Sequence, residues 1–343
     1  MGCVGARLGL ECEESGLCYS FSMRYRTLGR TGYRISEVGF GAWGLGRQMW
    51  VGAEDGQSLQ ALHAAADRGL NFIDTALVYG SGHSEKLIGR FLKERSERIH
   101  VASKIPPFNL RWPASGTLEE VFPADHIIRS TERSLANLGV DCIDLMQLHV
   151  WDPAWTEEEQ WHETLCALRE EGKIARFGVS INDHQPDSAL GLVGSGKVDS
   201  VQVIYNIFDQ SPEEKLFPAC QKMNVGVIVR VPFDEGALTG NITPETTFPK
   251  KDWRNLYFAG NRKREVFDRV QRLLPLLGNE DRTLPQLALA FCLHHPAVTT
   301  VIPGMRSLEH VAANMAVSDQ PSLSTATIEK LRQHLWPKNF YPT

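Results

Sequence analysis

The stretch RGLNFIDTALVYGSGHSEKLIGRFL, residues 68–92, changes from a strand pattern to a helix pattern. Its NFID run at residues 71–74 is short and apolar, which is typical of a buried parallel strand, and ends at Asp74. From Ser84 to Leu92 apolar residues recur at helical spacing, and Ser84 is available as the N-cap. The stretch therefore predicts one strand–turn–helix unit, with Tyr79 in the turn.

The same alternation extends in both directions along the chain. Upstream, it predicts a strand at 37–41 and a helix at 57–68 that ends at Gly69. Downstream, strands are expected at 100–103, 142–148, 175–180, 201–205, 226–229 and 300–302, and helices at 123–137, 159–170, 212–223, 263–277, 308–316 and 328–335. The pattern predicts a single α/β domain. Eight strands favour a closed (β/α)8 TIM barrel with a C-terminal helix over an open doubly wound sheet.

Composition limits the possible partners. The 343 residues have a formal net charge of -5, so no diffuse positive field is available to attract a nucleic acid or an anionic membrane. No apolar run reaches the length of a membrane span. The seven cysteines form no CxxC pair, which favours a reducing, cytoplasmic location. Residues 1–22 lack periodicity and are expected to be a loosely structured extension, with the barrel at 23–343. Oligomeric state is not predicted.

Four polar side chains follow or end three of the predicted strands. Asp74 ends NFID, Tyr79 lies five residues later, Lys104 closes HVASK, and His149 closes DLMQLH. In a parallel barrel all strands deliver their carboxyl ends to one rim, where reactive groups from distant segments meet. Singly, each residue has an ordinary interpretation: a turn cap, a packed ring, a solvated cation or a hydrogen-bonded imidazole. Their common placement makes a catalytic site the stronger hypothesis.

The chain resembles the aldo-keto reductase family from about residue 26 to 314. The motifs that carry the resemblance are GFGAWGLG (39–46), the stretch at 68–92, LGVDCIDLMQLH (138–149) and EEGKIARFGVSIN (170–182). The resemblance implies NADP-dependent carbonyl reduction, with Asp74, Tyr79, Lys104 and His149 as the catalytic tetrad.

The residue types also suggest how such a site works. Hydride addition to a carbonyl creates an alkoxide, which needs a proton donor, and Tyr79 is the expected general acid. A protonated Lys104, fixed by Asp74, is expected to lower the pKa of the phenol. A neutral His149 would donate a hydrogen bond to the carbonyl oxygen.

The resemblance also implies where the cofactor, NADPH, is held. Ser180, Asn182 and Gln202 match positions that hold the nicotinamide carboxamide, although the first two are equally plausible as helix caps. GFGAWG is not followed by the helix and acidic residue of a dinucleotide-binding fold, so a Rossmann domain is not supported.

Segment RVPFDEGALTG, residues 230–240, departs from the family pattern. Arg230 stands where an aromatic residue usually stacks on the nicotinamide, and Pro232, two residues further on, is also expected to contact the cofactor. A planar guanidinium can also stack, so Arg230 is expected to contact the cofactor. The alternative is that Arg230 turns away to a carboxylate, such as that of Asp234 or Glu235.

Segment VIPGMRSLEHVAANMA, residues 301–316, resembles the family's adenosine-phosphate loop. Gly304 and Met305 would offer backbone amides. Arg306 would pair with a 2′-phosphate, and Ser307 would cap the following helix. His310 and Asn314 complete the expected adenosine site, although many relatives carry Arg at the position of His310.

Aromatic residues in the rim loops are expected to line a pocket for an apolar carbonyl substrate. They are Trp43, Trp50, Trp112 and Trp151. Two other functions compete. A metal-dependent barrel hydrolase has only the adjacent pair His294 and His295 in its favour, without a carboxylate at helical spacing. An NADPH-sensing regulatory subunit would keep the barrel and a residual reductase site.

Overall fold

The computed structural model describes residues 22–278, 280–336 and 338–339. The predicted extension at 1–22 lies, apart from Ser22, outside the described residues. Ser22 itself donates its backbone N–H to Asp319 Oδ1 over 2.6 Å.

Eight parallel strands, hydrogen-bonded in chain order, form the sheet. They are β3 (Phe40–Gly41), β4 (Phe72–Asp74), β5 (His100–Ile105), β6 (Ile143–Leu148), β7 (Ile174–Ser180), β8 (Ser200–Ile204), β9 (Gly226–Arg230) and β10 (Val298–Val301). Parallel bridges from Val38 to Val301 and from Gly41 to Gly304 join the first strand to the last. The sheet is therefore closed, and the predicted (β/α)8 barrel is confirmed.

Helices cover the outside of the barrel. They are α1 (Asp55–Asp67), α2 (His83–Lys93), α3 (Leu118–Val121), α4 (Ala124–Leu138), α5 (Gln160–Glu170), α6 (Leu190–Ser195), α7 (Leu216–Met223), α8 (Arg254–Tyr257), α9 (Arg262–Leu277), α10 (Leu284–His294), α11 (Leu308–Met315) and α12 (Thr325–Arg332). The last begins three residues before the predicted start at 328, because Ser324 accepts a hydrogen bond from Thr327 N and caps it. No helix of the described residues is long and apolar enough to cross a membrane.

A hairpin that the sequence pattern did not predict closes the amino-terminal end of the barrel. Its antiparallel strands are β1 (Tyr25–Thr27) and β2 (Arg34–Ser36). Leu28 and Ile35 are fully buried and extend the barrel's interior apolar cluster. Because this end is filled, access to the interior is from the carboxyl ends of the strands.

The predicted first strand is shorter than expected. Only Phe40–Gly41 pairs with β4, whereas Glu37 belongs to a polar network beneath the barrel. Glu37 is fully buried and accepts hydrogen bonds from Arg24 at 2.7 Å and from Arg26 Nη2 at 2.9 Å. A buried carboxylate needs such partners, and these tie the hairpin to the barrel.

Candidate active site

The four residues predicted as catalytic meet at the carboxyl-terminal rim of the barrel. Asp74 ends β4, Lys104 lies one residue before the end of β5, and His149 directly follows β6. Tyr79 lies in the turn between β4 and α2, and its ring meets the His149 ring edge to face with centroids 5.9 Å apart. Three neighbouring strands thus bring together groups that are up to 75 residues apart in the sequence.

Lys104 links the group through hydrogen bonds. Its Nζ donates to Asp74 Oδ2 over 2.6 Å, to the Thr75 carbonyl over 2.8 Å, and to Tyr79 Oη over 3.3 Å. The lysine side chain is 0% exposed and that of Asp74 is 3% exposed, so solvent does not screen the pair. An ammonium held in this way stays next to the phenol.

Asp74 is held from its other side by two amides. Gln202 Nε2 donates to Asp74 Oδ1 over 2.7 Å, and Gln147 Nε2 approaches the same oxygen at 3.4 Å. The carboxylate is therefore fixed between its cation and neutral donors, as a buried charge requires.

The pKa values of Lys104 and Tyr79 are set by burial and by each other. Burial alone would lower the pKa of Lys104, but Asp74 and Tyr79 outweigh it and raise the pKa above its ordinary 10.5. For Tyr79, burial raises the pKa above 10.0, while the Lys104 charge lowers it by a smaller amount. The lysine acts in the predicted direction, but the expected net lowering is wrong, because desolvation of the phenolate is the larger effect.

His149 is neutral over most of the pH range. Burial, and then the charges of Lys104 and Arg230, hold its pKa well below the ordinary 6.5. Its Nδ1 is buried and has no hydrogen-bond partner among the described residues. A neutral imidazole at this position can donate one N–H to an oxygen.

The turn that carries Tyr79 is fixed by close backbone packing. Gly80 has a φ of +64°, and a Cβ there would lie 2.4 Å from the Gly46 carbonyl oxygen. The predicted N-cap role of Ser84 is wrong, since Gly82 occupies the N-cap position and Ser84 lies inside α2. Instead, Ser84 Oγ contacts Thr75 Oγ1 at 2.8 Å and donates to the Ala42 carbonyl over 3.1 Å, joining α2 to the residues that directly follow β4 and β3.

Three polar residues predicted to hold a nicotinamide lie beside the tetrad. Ser180 ends β7 and pairs in register with Gln202 of β8, and Gln202 contacts Asp74. Asn182 Nδ2 donates to the Trp151 carbonyl over 2.9 Å and to Gln185 Oε1 over 3.3 Å, and Asn182 Oδ1 receives one long contact from Ala114 N at 3.4 Å. An amide oxygen accepts two hydrogen bonds, so Asn182 Oδ1 retains capacity for the N–H of a carboxamide.

Arg230 ends β9 at the same rim. The alternative that Arg230 turns to a carboxylate holds in kind, but Asp234 is not the partner, because its carboxylate binds Arg262 and Tyr257. Arg230 Nη2 instead donates to Asp183 Oδ1 over 2.7 Å. Pro232 is buried two residues further on.

The predicted phosphate loop is ordered by its own contacts. Arg306 Nη1 donates to the Val51 carbonyl over 3.0 Å. The predicted cap is confirmed, because Ser307 Oγ accepts from His310 N over 3.3 Å at the start of α11. His310 Nδ1 in turn faces Arg306 N at 3.5 Å, and the buried Asn314 donates to the Gly304 carbonyl over 3.5 Å. The Arg306 side chain therefore lies next to the N-terminus of α11, an arrangement that can bind a phosphate.

Of the four tryptophans predicted to line a pocket, Trp151 is buried in the core. Trp112 meets the His149 ring edge to face at 5.9 Å, next to the tetrad. Trp43 and Trp50 contact each other at 5.4 Å in the loop after β3. Trp151 is 0% exposed and packs against Trp155, so it belongs to the core and does not face the rim.

Several residues of the site were not predicted. Gln147 could have been found, because it lies two residues before His149 on the same face of β6. Asp183 had no sequence signal, since its partner is 47 residues away. Trp253, whose ring lies 6.4 Å from that of Trp43, also comes from a distant loop.

Comparison with known proteins agrees with this geometry. The model of the aldo/keto reductase family matches residues 37–335, most of the chain. The chain belongs to the aldo/keto reductase family. It is therefore an oxidoreductase, and the family resemblance of the sequence is confirmed.

Three named relatives show the range of this family. The chain is 31% identical to aldo-keto reductase YhdN of Bacillus subtilis, over 83% of this chain and 85% of that protein. It is 29% identical to an NADH-specific methylglyoxal reductase of Escherichia coli, over 86% and 93%. It is also 29% identical to a probable voltage-gated potassium channel subunit beta of Arabidopsis thaliana, over 92% and 98%.

A solved structure of the family has the same fold. The aldo-keto reductase from Klebsiella pneumoniae in complex with NADPH is 25% identical, with a TM-score of 0.69, over 92% of this chain and 96% of that one.

Proposed function

We propose that this protein reduces an aldehyde or ketone to an alcohol with NADPH, and that Tyr79 is the general acid. The observation that carries the proposal is the buried Lys104 ammonium, which donates to both Asp74 and Tyr79 beside a neutral His149. Positioned proton donors and a fixed cation are what an alkoxide forming from a carbonyl requires.

Each of the four residues has one task in this proposal. His149 donates a hydrogen bond to the carbonyl oxygen and orients it. Tyr79 Oη gives its proton to that oxygen as the carbonyl carbon is reduced, and Lys104 stabilises the phenolate that remains. Asp74 holds Lys104, with Gln202 and Gln147 behind it. A bound reduced nicotinamide supplies the hydride.

The residues proposed to hold NADPH lie on both sides of the tetrad. Ser180, Asn182 and Gln202 would hold the carboxamide, and Arg230 with Pro232 would border the ring. Gly304, Arg306, His310 and Asn314 would hold the adenosine phosphate. The NADPH complex of the Klebsiella pneumoniae relative supports this choice of cofactor.

The test is a screen of small aldehydes, ketones, sugars and quinones with the purified protein, following NADPH absorbance. We expect multiple turnovers, with apolar carbonyl compounds preferred, because Trp112 borders the tetrad. Failure to oxidise NADPH with every class of carbonyl compound would count against the proposal.

The pKa directions predict a broad pH range for reduction. The pKa of His149 lies well below 6.5 and that of Tyr79 above 10.0, so both hold the required protonation state between those limits. We expect kcat/KM for reduction to stay level from about pH 6.5 to about pH 9. A steep fall in kcat/KM within this interval, with the protein still folded, would contradict the two assignments.

Arg306 provides a test of the preference for NADPH. Arg306→Ala removes a charge-assisted contact to the 2′-phosphate, which NADH lacks, so we expect the Kd of NADPH to rise about tenfold or more. The Kd of NADH, measured by calorimetry on the same variant, serves as the control and should change little. Equal weakening of both cofactors would contradict a phosphate contact by Arg306.

A second candidate function is supported by the potassium channel subunit among the relatives. In that case the protein would be an NADPH-sensing regulatory subunit with a residual reductase site. Slow turnover with tight retention of the cofactor would favour the sensor, whereas rapid multiple turnover on small aldehydes would favour the enzyme.

We also propose a cytoplasmic location. The cysteines of the described residues are all free, which suits a reducing compartment.

A further inference from the structure

Arg230 is held at the rim by two contacts on either side of Asn182. Its Nη2 donates to the Ile181 carbonyl over 2.8 Å and to Asp183 Oδ1 over 2.7 Å. The Arg230 side chain is 18% exposed, so the guanidinium is largely enclosed. Through these bonds the end of β9 is attached to the segment that carries the proposed carboxamide residue.

The backbone after Arg230 is also constrained. Val231 has a φ of +55°, a left-handed conformation that is costly for a β-branched residue. Its carbonyl accepts a hydrogen bond from Asn206 Nδ2 over 3.0 Å, which helps to hold this conformation. The chain therefore leaves β9 in a fixed direction, and Arg230 remains at the rim.

The guanidinium acts electrostatically on the tetrad. After burial and Lys104, its charge is a further cause of the low pKa of His149. It also opposes, together with Lys104, the rise that burial causes in the pKa of Tyr79. A unit charge close enough to shift the pKa values of His149 and Tyr79 would also act on a nicotinamide ring bound between these two residues and Asn182.

We propose that Arg230 discriminates between the two redox states of the cofactor in favour of the reduced one, and that Asp183 is the positioning residue that holds it. This inference rests on the proposed function, because it requires a nicotinamide at the rim. The oxidised ring carries a positive charge and the reduced ring does not, so a fixed cation weakens only the binding of NADP⁺. Such a site releases the oxidised cofactor readily and favours reduction.

The test compares the Kd values of NADP⁺ and NADPH by isothermal titration calorimetry. In Arg230→Met, which keeps length without charge, we expect the Kd of NADP⁺ to fall about tenfold and that of NADPH to change less than about threefold. Arg230→Lys should keep the wild-type ratio of the two values. Arg176→Met is the matched control, because Arg176 lies near Tyr33 at the other end of the barrel. It should leave the ratio unchanged.

Asp183→Ala tests the positioning role separately. Loss of the Asp183 carboxylate alone would make the site more positive and raise the ratio of the NADP⁺ Kd to the NADPH Kd. If Asp183 holds Arg230, the guanidinium leaves the rim as well, and the ratio should instead fall toward that of Arg230→Met. An unchanged or higher ratio in Asp183→Ala would overturn this role. A wild-type ratio in Arg230→Met, with both nucleotides bound, would overturn the discrimination but leave the reductase proposal standing. A wild-type protein that binds neither nucleotide would overturn both.

Discussion

Tyr79→Phe should lower kcat for carbonyl reduction about 10³-fold while NADPH binding stays nearly unchanged. The substitution removes only the hydroxyl that would protonate the alkoxide, and general acid catalysis contributes roughly 10²- to 10⁴-fold. The ring would still meet His149 edge to face. Lys104 would still donate to Asp74 and to the Thr75 carbonyl, so the fold should persist.

Thermal unfolding and the Kd of NADPH are the controls for this variant. With both unchanged, a loss of turnover measured through NADPH absorbance is a loss of chemistry. Near wild-type turnover in Tyr79→Phe would mean that another group supplies the proton, and the assignment of Tyr79 would be wrong.

Lys104→Met should reduce both stability and turnover. The Asp74 carboxylate would remain buried with only the Gln202 and Gln147 amides as partners. Removing one partner of a buried ion pair costs about 3–5 kcal/mol of unfolding free energy. Turnover should fall about 10²-fold or more, because the phenolate left by Tyr79 would lose its cation. Denaturant unfolding and steady-state kinetics measure the two effects.

The double variant Asp74→Asn/Lys104→Met separates the two effects. It removes both charges, so much of the lost stability should return. Turnover should stay low, because the ammonium beside Tyr79 is still absent. Recovery of turnover together with stability would show that Lys104 acts only in folding, and the proposed mechanism would have to be abandoned.

The sequence was most informative where periodicity and strand ends coincide. Alternating strand and helix patterns predicted all eight barrel strands, because parallel strands buried on both faces are continuous apolar runs. The rim positions of Asp74, Lys104 and His149 followed from the same reasoning, since the carboxyl ends of all barrel strands lie at one rim.

What the sequence did not predict depends on contacts between distant segments. The hairpin formed by β1 and β2 is held by Glu37 and by burial of Leu28, neither of which has a periodic signal. Asp183 and Arg230 are 47 residues apart in the sequence, and folding of the barrel brings them into contact at the rim. Trp151 was expected in a pocket, but a tryptophan after a strand packs equally well inward, against Trp155.

The net direction of the Tyr79 pKa shift could not be predicted from the sequence either. Residue types gave the sign of the Lys104 effect, but the extent of burial, which decides the net direction, depends on the packing of the whole rim.

The most direct test of the proposed site is a crystal structure of the NADPH complex. We predict a nicotinamide ring between Arg230 and the tetrad, with its carboxamide against Ser180 and Asn182. Its C4 should leave space for a carbonyl carbon about 3.5 Å away whose oxygen reaches Tyr79 Oη. A nucleotide bound elsewhere, or a ring whose C4 is out of reach of Tyr79, would contradict the site.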